Sequence, residues 1–290
     1  MFLCDRWRDY EVLDTGNGEK LERWGNVILR RPDPQVIWPK ASPELWKRAQ
    51  ATYERSETGG GQWIFNEKLP ERWLITLDEL KFFVKPTGFK HTGLFPEQAS
   101  NWDFMRQCIR RAGMAEHMPR VLNLFAYTGG ATLACAAAGA HVTHVDAAKS
   151  MVLWAKENRD CSGLPDASTR FIVEDAISFV KREIRRGSRY DAIIMDPPSY
   201  GRGPNGEVWK LEDELFGLVD LCAQLMSDTP LFFLINGYTT GFSACVLRNI
   251  AQRCLCSRFG GKVEADELAL CVTSGGVLPC GTTARWLPSA

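Results

Sequence analysis

The chain carries Asp196-Pro197-Pro198-Ser199-Tyr200 directly after the apolar run Tyr190-Asp191-Ala192-Ile193-Ile194-Met195. Neither proline has an N–H, so the carboxylate and carbonyls of this rigid turn can face a substrate donor without competing amides. Tyr200 adds a ring on which a planar group can stack. Asp196, Pro197, Pro198 and Tyr200 are therefore the candidate catalytic residues. Three other places could hold a cofactor. Asn123-Leu124-Phe125-Ala126-Tyr127-Thr128-Gly129-Gly130 leads into a small-residue stretch, Ala131-Thr132-Leu133-Ala134-Cys135-Ala136-Ala137-Ala138, and paired glycines let a backbone approach a ligand. His144-Val145-Asp146 puts a carboxylate roughly twenty residues after that turn, the spacing at which an acidic side chain accepts both hydroxyls of a ribose. Glu174-Asp175 could accept from an adenine amino group, although Asp at a strand-to-helix junction also serves as a helix N-cap.

Together these features suit a nucleoside-containing cofactor. Asn123, Phe125 and Tyr127 stand where a dinucleotide site of the G-x-G-x-x-G type needs small residues beneath a pyrophosphate. NAD is disfavoured on that ground. S-adenosylmethionine, which has a ribose and an adenine but no phosphate, is the expected cofactor.

The elements that must position these residues follow from the patterning. From Asn101 onward, helices alternate with compact apolar runs, the signature of βα units around a mostly parallel sheet. Strands are predicted at Val121 to Phe125, His141 to Val145, Arg170 to Val173, Tyr190 to Met195 and Leu231 to Ile235. Helices are predicted at Thr128 to Ala138, Ala148 to Asn158, Ala176 to Arg186 and Leu211 to Ser227, with a further one near Cys245 to Arg258. Val263 to Val272 and Val277 to Trp286 form an antiparallel pair around Ser274-Gly275-Gly276. In such a sheet, ligands bind outside the carboxyl ends of the strands where strand order reverses, which is where the motifs fall.

The first 73 residues hold six of the ten tryptophans. Short strands are predicted there at Gly25 to Arg31, Gln62 to Asn66, Trp73 to Leu77 and Lys81 to Lys85. Pro43 to Arg55 is predicted as a single helix with Ser42 as N-cap. The expected organisation is a β-rich N-terminal module over residues 1–97 and a catalytic α/β domain over 98–290.

Thirty-five basic against thirty-five acidic residues give no net charge, which excludes a globally basic nucleic-acid binder. Lys181, Arg182, Arg185, Arg186 and Arg189 are the densest local cluster. The ten cysteines contain no C-x-x-C, the four histidines have no metal-ligand spacing, and no signal-type segment opens the chain. No metal and a reducing, cytoplasmic setting are expected. No apolar run approaches the ~20 residues needed to cross a bilayer, so no membrane span is expected.

These residues resemble class I S-adenosylmethionine-dependent methyltransferases, and more narrowly the bacterial 23S rRNA large-subunit methyltransferases that modify cytosine C5 or guanine N7. The likeness covers about residues 72 to 286. It rests on the turn from Asn123 to Gly130, on Asp196 to Tyr200, and on His91-Thr92-Gly93-Leu94-Phe95-Pro96-Glu97-Gln98 ahead of the domain. It implies a seven-stranded, Rossmann-like sheet and a cofactor lined by Phe125, Thr128, Asp146, Asp175 and Asp196. Asn123, Tyr127, Gly129, Ala147, Ser150, Asn158 and Ala176 are assigned to the same pocket. It also implies an RNA partner, 23S rRNA. Residues 1–71 are unlike the RNA-binding module those enzymes often carry. The cytosine branch places a Cys just after the fifth strand to activate the ring, whereas this chain reads Asn236-Gly237-Tyr238-Thr239-Thr240. Cys245 lies in the next predicted helix and is expected to be packed there, so a nitrogen target is favoured over carbon. A protein side-chain amide or a small planar metabolite is the alternative acceptor.

Overall fold

Five short apolar runs, Arg120–Leu124, His141–Asp146, Thr169–Val173, Ala192–Met195 and Phe232–Gly237, are the first to fifth strands of a parallel array. The inner ones are buried on both faces, which is why they read as continuous apolar runs rather than alternating ones. The third, at the sheet edge, is partly open. The structure, a computed structural model, describes residues 1–56, 60–112, 118–202, 208–239 and 241–289. Thr240 lies outside the described residues.

The sheet has eight strands rather than the seven expected, and seven of them run in the order third, second, first, fourth, fifth, then the two strands of the closing hairpin, Val277–Leu287 and Lys262–Cys271. The fifth strand and Val277–Leu287 are antiparallel. Helices Gly130–Ala137, Lys149–Cys161, Ala176–Arg185 and Leu211–Ala223 connect the strands, Ala99–Ala112 precedes the first, and Ala244–Ala251 continues through a π-helical turn at Gln252–Cys256. Leu122, Phe179, Ile193, Phe233 and Trp286 lie in one core cluster with the buried faces of these helices. Among the described residues no helix is long and apolar enough to cross a membrane.

The chain divides into two units, Phe2–Ala99 with Ala269–Cys280, and Ser100–Leu268 with Gly281–Ala290 and Met1. The tip of the closing hairpin thus groups with the N-terminal strands. Ser274 Oγ donates to Asp14 Oδ1 at 2.6 Å, and the Thr273 and Ser274 amides donate to the Val12 and Leu13 carbonyls. In this unit a five-stranded sheet runs Tyr10–Gly16, Glu19–Trp24, Val27–Pro32, Ala51–Arg55, Gly61–Phe65, beside the hairpin Trp73–Leu77 and Leu80–Val84.

One sequence expectation fails here, and two strands escape the sequence reading. Pro43 to Arg55 is not one helix but a 3-10 turn, Pro43–Arg48, followed by a strand. The Ser42 side chain makes no cap bond, and its amide donates instead to Asp14 Oδ2. Ala51 and Tyr53 alternate into the core, and Tyr53 pairs with Trp63 across the strands, so burial of one face overrides helix propensity. The strands Tyr10–Gly16 and Glu19–Trp24, joined at Asn17-Gly18 in left-handed geometry, were not foreseen because they carry charge. Fully buried Glu22 accepts a fork from Arg31 at 2.6 and 2.7 Å and the Tyr10 hydroxyl at 2.6 Å. Burial would raise the Glu22 carboxyl, but Arg31 and Lys20 dominate and hold it down at about 2, so the charge is buried with its partners.

Candidate active site

The first strand is flanked by the second and the fourth, so strand order reverses there, and its carboxyl end is where such a sheet binds a ligand. Register makes those ends flush. Leu124 lies opposite both Val145 and Met195, and Asp146 opposite Val173. Phe125 and Asp196 therefore follow directly where the first and fourth strands stop, level with Asp146 at the end of the second, and Glu174-Asp175 follows the third.

The turn after the first strand is conformationally unusual. Phe125, Tyr127 and Gly129 all have positive φ, 55°, 50° and 89°. Left-handed geometry is uncommon outside glycine and persists only where surroundings impose it. Here the Ala126 amide donates to the Val145 carbonyl at 3.1 Å, the Tyr127 amide to Asp146 Oδ2 at 2.8 Å and the Gly129 amide to the Ala126 carbonyl at 3.0 Å. From below, buried Asn158 donates its side-chain amide to the Thr128 carbonyl at 2.9 Å. These three amides are bonded within the protein and so are not presented to a phosphate, which is the geometry expected where a dinucleotide is disfavoured. Its chemistry, acidic and partly aromatic, fits the ribose and adenine of S-adenosylmethionine.

The two glycines have separate roles, and neither opens space for a ligand. A Cβ at Gly130 would meet Trp102 Cζ2 at 2.4 Å, and one at Gly129 would meet Ala155 Cβ at 3.0 Å. They let Ala99–Ala112 and Lys149–Cys161 pack against the turn. Gly130→Ala is accordingly expected to lower unfolding stability by about 1–3 kcal/mol through overpacking, measurable by urea denaturation.

Asp146 is half-buried, and its second oxygen accepts the Ala148 amide at 2.8 Å. Burial pushes its carboxyl upward, opposed by the two amide bonds. Each oxygen has a further lone-pair site, so the group can anchor the turn and still accept from a hydroxyl. Asp175 is the N-cap of Ala176–Arg185 and accepts the Ser178 amide at 2.8 Å, while Glu174 pairs with Arg182. Ala147 and Ser150 are exposed, and Ala176 is buried in the core. Asn123 is 2% exposed and donates to Thr132 Oγ1 at 2.9 Å, which in turn lies 2.9 Å from His144 Nδ1. Burial holds that imidazole down at about 3, hence neutral. Of the assigned pocket, then, Asn123 and Asn158 use their side chains to hold the structure beneath the turn.

In the turn from Asp196 to Tyr200, the candidate acceptor turn, Asp196 is half-buried, Pro197 buried, and Tyr200 51% exposed. The turn continues into a ribbon, Tyr200–Arg202 paired antiparallel with Val208–Lys210. Trp209 Nε1 donates to the Pro198 carbonyl at 2.6 Å, so that carbonyl is already engaged. The Ser199 carbonyl accepts the Leu211 amide at 3.1 Å, and Thr239 Oγ1 donates to Ser199 Oγ at 2.6 Å. Beside the fifth strand, buried Asn236 accepts from Asn101, which itself accepts from Arg285 Nε at 2.9 Å. Burial lowers the Arg285 guanidinium to about 10. None of Trp209, Thr239, Asn101 or Arg285 belongs to a recognisable spacing. Cys245 is exposed rather than packed, because it lies in the first turn of Ala244–Ala251, ahead of the buried Leu247 and Ala251.

Residues 44–258 match the sequence profile of the S-adenosylmethionine-dependent methyltransferase family. The chain is 26% identical over 231 residues to ribosomal RNA large subunit methyltransferase K of Neisseria meningitidis serogroup B, covering 76% of this chain and 63% of that protein. It is 32% identical over 233 residues to ribosomal RNA large subunit methyltransferase K/L of Shewanella frigidimarina, covering 75% of this chain and 30% of that one. The chain thus spans less than two thirds of these curated relatives. Among solved structures, the S-adenosylmethionine-dependent methyltransferase from Agrobacterium tumefaciens is 38% identical with a TM-score of 0.93, covering 99% of this chain and 93% of that one. A methyltransferase from Streptococcus mutans, 17% identical with a TM-score of 0.73 over 98% of this chain and 76% of that one, shares the fold.

Proposed function

This chain belongs to the S-adenosylmethionine-dependent methyltransferase family, and we propose that it methylates a nucleobase of ribosomal RNA, at nitrogen rather than carbon. The observation that supports this most directly is the acceptor turn: Asp196 leaves the fourth strand level with the start of the cofactor turn, and the Tyr200 ring stands half-exposed beyond two prolines. The names of the curated relatives supply the RNA class.

The cofactor supplies an electrophilic methyl group on a sulfonium. Phe125, Tyr127, Thr128, Gly129, Asp146, Ala147, Ser150, Asp175 and Ala176 surround its proposed pocket, positioned from beneath by Asn123 and Asn158. Asp196 accepts a hydrogen bond from the acceptor's amino or imino N–H and holds the nitrogen lone pair in line, and Tyr200 stacks the base once it has swung out of its helix. Fixing nucleophile and methyl in line can supply on the order of 7–11 kcal/mol of the barrier, so no acid or base beyond Asp196 is required.

Incubation with radiolabelled methyl donor and separated cellular RNA and protein fractions tests the proposal. Label is expected in large-subunit rRNA, and label confined to protein or to small molecules overturns it. Carbon methylation needs a thiolate that adds to the ring. Cys245→Ser is expected to leave methyl transfer within about twofold of the unmodified protein, since one exposed substitution changes stability little. Loss of turnover with a native circular dichroism spectrum would refute the nitrogen target.

A further inference from the structure

Among the described residues, Trp209 touches both the turn after the first strand and the turn after the fourth. Its indole N–H donates to the carbonyl of Pro198, in the acceptor turn, and its ring centroid lies 5.6 Å from that of Phe125, in the cofactor turn, with the planes 47° apart. Each end of this link is tightly held. Phe125 is in left-handed geometry between a strand that stops at Leu124 and the Ala126 and Tyr127 amides, which are bound to the second strand and to Asp146. Pro198 precedes a ribbon closed by pairing of Tyr200 with Lys210, Gly201 with Trp209 and Arg202 with Val208, and by the Leu211 amide on the Ser199 carbonyl. Trp209 is only half-buried. With its N–H bound to a proline carbonyl and its ring against Phe125, the half-exposed indole has its orientation fixed from both ends.

We propose that Trp209 is a positioning residue that couples cofactor binding to acceptor binding, by transmitting the setting of Phe125 to Pro198 and so to the place where Tyr200 receives a planar acceptor. Free-energy coupling between two sites is reciprocal, so the cofactor tightens acceptor binding through Trp209 and the acceptor tightens cofactor binding to the same extent. The acceptor half of this rests on the methyl-transfer function proposed above. The cofactor half does not.

Two variants separate the contacts. Trp209→Phe keeps a ring against Phe125 and removes the N–H, and Trp209→Ala removes both. With ten tryptophans in the chain, the Trp209 signal is the fluorescence of the unmodified protein minus that of Trp209→Phe. Titration of the full chain with S-adenosylhomocysteine is expected to change this difference. With S-adenosylmethionine and protein-free large-subunit rRNA, Trp209→Phe should raise the acceptor KM about five- to tenfold, the effect of one lost hydrogen bond, with S-adenosylhomocysteine affinity within twofold. Trp209→Ala should weaken both. A difference signal blind to S-adenosylhomocysteine, or an acceptor KM unchanged in Trp209→Phe, overturns the proposal. Should Trp209→Ala fail to fold, the Trp209→Phe arms still decide. An unmodified protein that never labels rRNA refutes the function, while the fluorescence titration continues to test Trp209.

Discussion

Asp196→Ala is expected to lower methyl transfer on the order of 10²-fold or more while weakening S-adenosylhomocysteine binding far less. Asp196 is the only carboxylate in the acceptor turn, and displacing a nucleophile from its line of attack by about 1 Å can cost that much. Asp196→Asn keeps one acceptor oxygen and should retain more activity than the alanine variant. Single-turnover transfer of labelled methyl groups measures the first quantity and calorimetry with S-adenosylhomocysteine the second. Equal losses in both would mean that Asp196 serves the cofactor and that the acceptor is held elsewhere.

Asp146→Ala carries the second large effect, on cofactor binding. Its two oxygens hold the amides of Tyr127 and Ala148, one in the left-handed turn and the other at the N-cap of Lys149–Cys161. Removal leaves both donors without that acceptor and deprives a bound ribose of its partner. The Ala148 amide is exposed and the Tyr127 amide half-buried, so the loss falls mainly on the bound ribose: a hydroxyl left without its acceptor costs ~1–3 kcal/mol, and S-adenosylhomocysteine binding should weaken by roughly 10- to 100-fold. The unfolding midpoint should fall as well, because Tyr127 is held at φ 50° by that bond. Asp146→Asn, with a single acceptor oxygen, should be intermediate in both. Full affinity in the alanine variant would show that the ribose is held by other groups.

Much of the α/β unit is legible in the chain. The five parallel strands fall within two residues of the predicted runs, since segments buried on both faces need uninterrupted apolar residues. The N-terminal unit is less so. Glu19–Trp24 is a strand whose charged Glu22 is matched by Arg31 from the next strand and Tyr10 from the previous one, and no local pattern announces such a match. Pro43 to Arg55 shows the same limit: the residues suit a helix start, but Tyr53 is drawn into a strand by Trp63.

Residue type and spacing nominate Asp196-Pro197-Pro198, Asp146 and the Asn123 to Gly130 turn as candidates, because a proline's missing amide and a carboxylate's acceptor atoms are properties of the residue wherever it falls. Which atoms remain available to a ligand is a different matter, settled by partners distant along the chain. Asn158 lies under the turn because a helix 30 residues on brings it to the Thr128 carbonyl. Gly130 has no side chain because Trp102 occupies the space. Trp209 reaches Pro198 and Phe125 together because strand order puts the first strand beside the fourth. Hydrogen bonds and close packing act over a few ångströms of space, so the fold, by choosing which residues become neighbours, assigns each candidate to the ligand or to the scaffold.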